Sequence, residues 1–125
     1  MKGQLVPVAL LPRYSSFFGA AAYATAPMNV EAYCKGTMTL WRGPLPGTST
    51  PTFKAYFEDS HDGVVWTPFN PSGEDPGEDV AMVVRFDLQR RWLRVRVVLG
   101  GTDPAVSCFA VGNLELRNPE GGGTP

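Results

Sequence analysis

Apolar and polar residues alternate along much of this chain, with the period of two that is typical of β-strands having one buried face. The cleanest run is 93–99, where leucine and valine alternate with Arg94 and Arg96. Similar patterns predict strands at 35–42, 80–88 and 105–116. In the last of these, Val106, Cys108, Ala110, Leu114 and Leu116 form the predicted inward set.

The segment 52–67 predicts a β-hairpin. Its first half alternates, with Phe53, Ala55 and Phe57 on the buried face and Lys54, Tyr56 and Glu58 on the wetter face. Asp62 and Gly63 supply a turn, because glycine accepts positive φ and aspartate can bond its own backbone. Val64–Trp66 is rich in β-branched and aromatic residues, so we expect the return strand there.

Turn-forming residues complete the prediction of an all-β fold. The chain has 14 Gly and 12 Pro in 125 residues, which suits a domain of many strands and turns. We expect a single antiparallel β-sandwich of jelly-roll type with an extended N-terminal arm. Residues 1–18 are the predicted arm or edge strand, 19–117 the sandwich, and 118–125 a flexible tail.

Two apolar segments near the N-terminus leave alternatives open. Pro7 and Pro12 interrupt the extended run 4–18, which therefore either forms an edge strand of its own sandwich or docks onto a neighbouring subunit. The run 17–23 is strongly apolar without clear periodicity. It is interpreted either as a core loop or as a subunit contact.

Charge limits the classes of partner. The net charge is −1, whereas binding to nucleic acid phosphates needs a basic surface. No run approaches the roughly eighteen apolar residues of a membrane span. Charged residues are 18% of the chain, fewer than usual, so neighbouring subunits are expected to cover some apolar surface.

Acidic residues cluster at 58–79 and arginines at 85–96. These clusters are either solvated loops and a strand face or complementary patches that orient subunits. The candidate interface residues are Phe17, Phe18, Tyr23, Arg85, Arg94 and Arg96.

No catalytic or cofactor site is predicted. His61 is the only histidine, and no nucleophile motif accompanies it. Cys34 and Cys108 are too few for a disulfide framework and are either free thiols or one bridge. The carboxylates at 59–62 and 74–79 belong either to solvated turns or to a calcium site. Four aromatic residues are candidates for core packing or for a sugar-binding platform: Trp41, Tyr56, Trp66 and Trp92.

The segment Ser60-His-Asp-Gly-Val-Val-Trp-Thr67 resembles the Ser-x-Asp-Gly-x-x-Trp-Thr hairpin of discoidin-like and carbohydrate-binding sandwiches. That resemblance implies a structural turn and specifies no ligand.

Over roughly residues 36–117, the chain resembles small β-sandwich structural proteins of tailed bacteriophages. The matching features are Leu40-Trp-Arg-Gly43, the loop 47–51, the hairpin motif, and Leu93-Arg-Val-Arg-Val-Val-Leu-Gly-Gly-Thr-Asp-Pro104. This resemblance implies a capsid decoration (cement) or auxiliary subunit without an active site or cofactor. It also implies a homo-oligomer, for example a trimer, bound to the major capsid protein on the virion surface after synthesis in the host cytoplasm. The alternative is an adhesion domain like a carbohydrate-binding module, with a glycan as its partner.

Overall fold

The computed structural model describes residues 4–46 and 48–117, and these residues contain strands but no helix. The predicted tail at 118–125 lies outside the described residues. The strands are β1 (Leu5–Phe18), β2 (Ala21–Ala24), β3 (Met28–Asn29), β4 (Tyr33–Arg42), β5 (Thr48–Ser60), β6 (Thr67–Pro68), β7 (Val80–Asp87), β8 (Trp92–Thr102) and β9 (Ala105–Leu116).

The strands form two antiparallel sheets. Sheet 1 has the order β1-β9-β4-β7, and sheet 2 has the order β2-β8-β5-β6, with the short β3 also paired to β8. Without β3, the first strand pairs with the last, the second with the seventh, the third with the sixth, and the fourth with the fifth. Such a long hairpin rolled into two sheets is a jelly roll, which confirms the predicted fold class.

One hydrophobic core fills the space between the sheets. The inward residues of β8 (Leu93, Val95, Val97 and Leu99) are buried, as the alternation predicts. From the facing sheet, the inward side chains of β4 and β9 meet them, and Met38, Leu40, Cys108, Ala110 and Leu114 are fully buried. The long strands of both sheets each have one apolar face, so packing the two inner faces against each other buries their apolar residues.

The N-terminal arm is the edge strand of its own sandwich. β1 pairs with β9 from Leu5 opposite Glu115 to Phe18 opposite Ala105. The register shifts on either side of Leu11, whose side chain is buried in the core. An edge strand tolerates proline because one side of its backbone has no partner strand. Of the two alternatives for this segment, the structure contains the edge strand.

The predicted return strand at Val64–Trp66 is wrong. β6 consists of Thr67 and Pro68 alone, which pair with Asp59 and Glu58 of β5. Val64 and Val65 are 77% and 70% exposed. The reason is local, since their backbone amides donate to the Asp62 carboxylate and are therefore not free to form a ladder.

The start of β5 and the end of β8 extend beyond the alternating segments that predicted these strands. Thr48–Pro51 belongs to β5, although 47–51 was expected to be a loop, and Gly100–Thr102 belongs to the end of β8. The two segments lie next to each other, with Thr48 opposite Thr102 and Thr52 opposite Gly100. Long-range pairing therefore extends both strands into glycine- and proline-containing sequence. The short connection through Asp103 and the buried Pro104 then crosses to sheet 1.

A substitution at Gly36, which lies against Phe86, tests the packing along the open side of the sandwich. A Cβ atom at Gly36 would overlap the Phe86 ring, which is stacked on Phe69 at 4.6 Å between centroids. We expect Gly36→Ala to lower the free energy of unfolding by about 1–3 kcal/mol, because the ring must leave its stack. Urea denaturation measures this change.

The double variant Gly36→Ala/Phe86→Leu is the control. Leucine lacks the far edge of the ring, so Gly36→Ala should be less destabilising in the Phe86→Leu background than in the wild type. Simple additivity of the two substitutions would show that the contact with the ring is not the cause.

Candidate interaction surfaces

The outer face of sheet 2 is organised around Glu58. Its carboxylate accepts hydrogen bonds from Arg94 Nε at 2.9 Å and from Arg96 Nε at 3.1 Å. Glu58 is on the predicted outward face of β5, but it is only 2% exposed, so the expectation of a wetter position is wrong. The burial has a nonlocal cause, because Arg94 and Arg96 on the neighbouring strand flank the carboxylate and neutralise it.

Aromatic rings cover the two arginines. The Arg94 guanidinium lies 4.3 Å from the centroid of the Trp66 ring, and the Arg96 guanidinium lies at the same distance from Tyr56. Cations in this position are attracted to the face of the ring. The result is a layered cluster of alternating rings, guanidinium groups and one carboxylate.

The four candidate sugar-platform residues do not lie on one surface. Tyr56, Trp66 and Trp92 share the outer side of sheet 2, whereas Trp41 is on sheet 1 and stacks on Phe109 at 5.3 Å. Arginines already occupy one face of Tyr56 and of Trp66.

The candidate interface arginines are also separated. Arg85 is exposed on β7 in sheet 1, whereas Arg94 and Arg96 are on β8 in sheet 2, so the three do not form one basic face. The distribution follows from the strand order, which places β7 and β8 in different sheets although they are consecutive in the chain.

The acidic loop between β6 and β7 is tied to the chain's own core. Arg42 is almost buried, and its Nε donates to the Asp75 carboxylate at 2.8 Å. Burial raises the pKa of Asp75, but the hydrogen bonds from Arg42 and from the Gly77 amide outweigh it, so the pKa lies below its ordinary value. In this loop, Glu74 also exchanges backbone hydrogen bonds with Ala55 of β5. Part of the predicted acidic patch therefore serves to close the side of the sandwich.

The apolar run at 17–23 connects β1 to β2. Phe17 packs against Tyr23 with 5.0 Å between ring centroids, and the Tyr23 hydroxyl lies within hydrogen-bonding distance of the Phe18 and Gly19 carbonyl oxygens. Phe18 is different, because its side chain is 75% exposed. Of these three candidate interface residues, Phe18 is the one most accessible to another molecule.

The outer face of sheet 1 has an uncharged part, beside a charged part that contains Lys35, Arg85, Asp87 and Glu115. Ala9, Val111, Thr39 and Val83 lie side by side across all four strands, and Phe109, Trp41 and Ala81 form the next row. We call these seven residues the uncharged face. The β1 bulge places two further side chains over its second row, with Arg13 4.5 Å from the Phe109 ring centroid and Tyr14 edge-on to Trp41.

A recess of about 300 Å³ continues the uncharged face at the end of β4. Its lining carries no charged side chain, and it consists of Ser16, Phe18, Trp41, Gly43, Pro44, Pro46, Ala105, Val106 and Ser107. We call it the Trp41 recess. The low charge of the sequence anticipated such surfaces, but their position depends on the sheet order.

The loop 61–66 presents its two exposed valines on an ordered turn, which we call the valine tip. Asp62 Oδ1 accepts hydrogen bonds from the amides of Val64 and Val65 at 2.8 and 3.0 Å and from Ser60 Oγ at 3.0 Å. The bonds from the Val65 and Val64 amides lower the pKa of Asp62 from 3.8 to about 2. The turn motif seen in the sequence thus holds two apolar side chains in solvent.

The remaining candidate groups have local partners or stand alone. Asp59 accepts from Arg90 at 2.9 Å, and His61 is exposed. Cys34 and Cys108 are free thiols, and burial raises the pKa of Cys108 to about 11.

Within residues 4–46 and 48–117, no three histidine, cysteine or carboxylate side chains form a group suited to a metal ion. The same residues include no helix able to cross a bilayer.

Another recess, of about 520 Å³, lies along the open side between β6 and β7. Arginines and carboxylates in its lining include Arg85, Asp87, Arg90 and Asp59. Asp59 and Arg90 are already paired with each other, whereas Arg85 and Asp87 in the same lining are exposed on β7.

Replacing Glu58 by glutamine tests the cluster on sheet 2. We expect Glu58→Gln to lower the free energy of unfolding by about 1–3 kcal/mol, because two half-buried cations lose their shared anion. Thermal or urea denaturation measures the loss. The matched control is Glu31→Gln, whose pair with Arg91 is at 3.9 Å and has 70% and 53% exposed side chains. That change should stay below about 0.5 kcal/mol, and equal effects of the two substitutions would refute the role assigned to Glu58.

Acid titration tests the valine tip. Since the folded-state pKa of Asp62 is lowered to about 2, its stabilisation is complete above about pH 4 and is lost as the pH falls through 2. NMR should therefore show the Asp62 carboxyl titrating near 2, and Asp62→Ala should accelerate exchange of the Val64 and Val65 amides. The amide of the buried Val97 is the internal reference and should not change. A titration midpoint near 3.8 would contradict the hydrogen-bonded turn.

No protein-family model matches this sequence, and no curated protein matches it. Among solved structures, the chain is similar to the VP2 protein in the crystal structure of the infectious bursal disease virus VP2 subviral particle, with a TM-score of 0.62 and 12% sequence identity. The similarity covers 98% of this chain and 34% of that one, so the chain spans about a third of the viral protein's length. At this level of identity the two share a fold, the two-sheet jelly roll.

Proposed function

We propose that this chain is a non-enzymatic structural subunit of a virus particle. More specifically, we propose a capsid decoration (cement) or auxiliary subunit of a tailed bacteriophage. The observation that carries the proposal is the uncharged face of sheet 1, where Ala9, Ala81 and Val83 are exposed on a jelly-roll domain.

The composition of this face supports a contact with another protein. Its two rows span four strands about 4.8 Å apart, which gives an area of roughly 250 Å². A stable interface buries about 800 Å² on each partner, so the face and the adjoining Trp41 recess would form the apolar centre of a larger contact with a polar rim.

The fold is compatible with a structural role in a virus particle and also with a lectin-type role. Jelly rolls occur in viral capsid proteins and in lectins. The similar VP2 chain is a protein of a subviral particle. Against a lectin-type role, the polar groups on the outer face of sheet 2 are paired with one another through Glu58, which leaves few of them free for a ligand.

The proposed partners follow from this role. The chain would associate with copies of itself, with a trimer as one arrangement, and with the major capsid protein on the capsid surface. Synthesis would take place in the host cytoplasm. Neither nucleic acid nor a membrane is part of the proposal, since the net charge is −1 and no described strand or loop concentrates basic residues without acidic partners.

A carbohydrate-binding adhesion domain is the second candidate, because Tyr56, Trp66 and Trp92 share the outer side of sheet 2. Arg94 and Arg96 would have to leave the rings before a sugar could stack on those faces. Glycan-array binding that disappears in Trp66→Ala would favour this candidate over the structural subunit.

A charge placed on the uncharged face tests the proposal. Ala9 and Ala22 are both exposed alanines in edge strands, on the outer sides of sheet 1 and sheet 2 respectively. We expect Ala9→Lys to weaken self-association or binding to capsids by at least about tenfold, because docking would bury an unpaired charge. Ala22→Lys should have little effect.

Native mass spectrometry and electron microscopy of the full chain, alone and mixed with capsids, measure both variants. If Ala9→Lys associates as the wild type does, the uncharged face is not the contact. A wild-type chain that stays monomeric and binds no capsid would overturn the proposed function itself.

A further inference from the structure

The large apolar side chains exposed on this molecule occur in two separate places. Leu5, Tyr14, Phe18, Val80 and Val83 are on strands β1 and β7 of sheet 1, and Val64 and Val65 form the valine tip. Exposure of two adjacent valines on an ordered turn is unfavourable in an isolated domain, because apolar surface prefers to leave water. The tip is therefore a candidate for contact with an apolar partner.

The tip and the Trp41 recess are at opposite ends of the sandwich. The recess includes Gly43, Pro44 and Pro46, which precede β5, whereas the tip follows Ser60 at the end of β5. A strand of 13 residues at about 3.4 Å per residue separates them by roughly 40 Å. The tip cannot reach the recess of its own chain, but it can reach the recess of a second copy.

The valine tip and the Trp41 recess match in size and in chemistry. A cavity of about 150 Å³ can hold a benzene molecule, and the isopropyl group of valine is smaller than benzene. A recess of about 300 Å³ therefore has room for two such groups. Its lining is rich in proline and aromatic residues, which offers apolar contact without leaving a charge unpaired.

We propose that the valine tip of one copy inserts into the Trp41 recess of a second copy. The inference rests on the proposed role as an assembling subunit and names the homotypic contact. The insertion is either reciprocal, in a two-fold dimer, or head-to-tail, and head-to-tail repetition yields a closed ring or an open filament according to the rotation between copies.

Charges near the two surfaces support this orientation. The Asp62 carboxylate lies directly behind the tip, and the Arg13 guanidinium lies on Phe109, which stacks on Trp41 in the recess wall. Opposite charges beside an apolar contact favour one orientation over others. The buried area is small, so the contact is expected to be weak between two copies and to gain strength from multiple contacts in a closed assembly.

Complementation between two defective variants tests the contact. The tip variant is Val64→Ser/Val65→Ser, and the recess variant is Ala105→Glu, with Phe18→Ser as a second recess variant because Phe18 is 75% exposed and lies outside the core. Val80→Ser is the matched control for loss of an exposed valine elsewhere. Circular dichroism of each full-length variant checks that it keeps the wild-type fold.

Sedimentation velocity should show that each tip or recess variant self-associates at least about tenfold more weakly than the wild type and than Val80→Ser. A mixture of tip and recess variants retains one intact tip and one intact recess. It should form 1:1 pairs and nothing longer, a result that a contact between two tips or between two recesses cannot give.

Three results would overturn the inference: a tip variant that associates as the wild type does, a mixture that forms no pairs, or a wild type that is monomeric. If Ala9→Lys loses association while the tip variant keeps it, this contact fails and the proposed structural role stands. If the wild type is monomeric and also binds no capsid, both fail.

Discussion

Everything in this molecule depends on the dry layer between its two sheets. At its centre, Leu93, Val95, Val97 and Leu99 are excluded from water, and each buried side chain of this size contributes about 1.5–3 kcal/mol. Once these residues face inward, the alternation of the strand forces Arg94 and Arg96 outward. The position of the charged cluster on sheet 2 is thus a consequence of the core.

The two outer faces respond to that constraint in different ways. On sheet 2, charged residues on neighbouring strands neutralise each other through Glu58, and aromatic rings cover the guanidinium groups. On sheet 1, the two rows of the uncharged face carry alanine, valine, threonine and aromatic residues, and charged residues lie further along the same side, with Lys35 opposite Asp87. The outer sides of the two sheets therefore differ in chemistry.

The valine tip illustrates how one side chain redirects the backbone. β5 ends at Ser60, and Asp62 then takes the amides that a return strand would have used. Valine favours strands through packing on a pleated surface, not through a strong intrinsic backbone preference. Because the Asp62 carboxylate binds the amides of both valines and no neighbouring strand pairs with them, the strand preference of valine does not produce a strand here. The Asp-Gly motif therefore presents two apolar side chains to solvent, which is a property of an interaction surface.

Local sequence determined the strands with strict alternation, the single buried core and the all-β class, because a period of two is read from adjacent residues alone. It also indicated the low charge that now appears as the uncharged face.

Tertiary structure decided the features that depend on residues distant in the sequence. The pairing of Thr48 with Thr102 extended β5 through a predicted loop, and β8 placed two arginines around Glu58 and buried it. The assignment of β7 and β8 to different sheets separated Arg85 from Arg94 and Arg96, and the assignment of β4 and β5 to different sheets placed Trp41 on the opposite side from Tyr56, Trp66 and Trp92. Neighbours across a sheet are set by the strand order, and the strand order is a property of the whole fold that no local pattern contains.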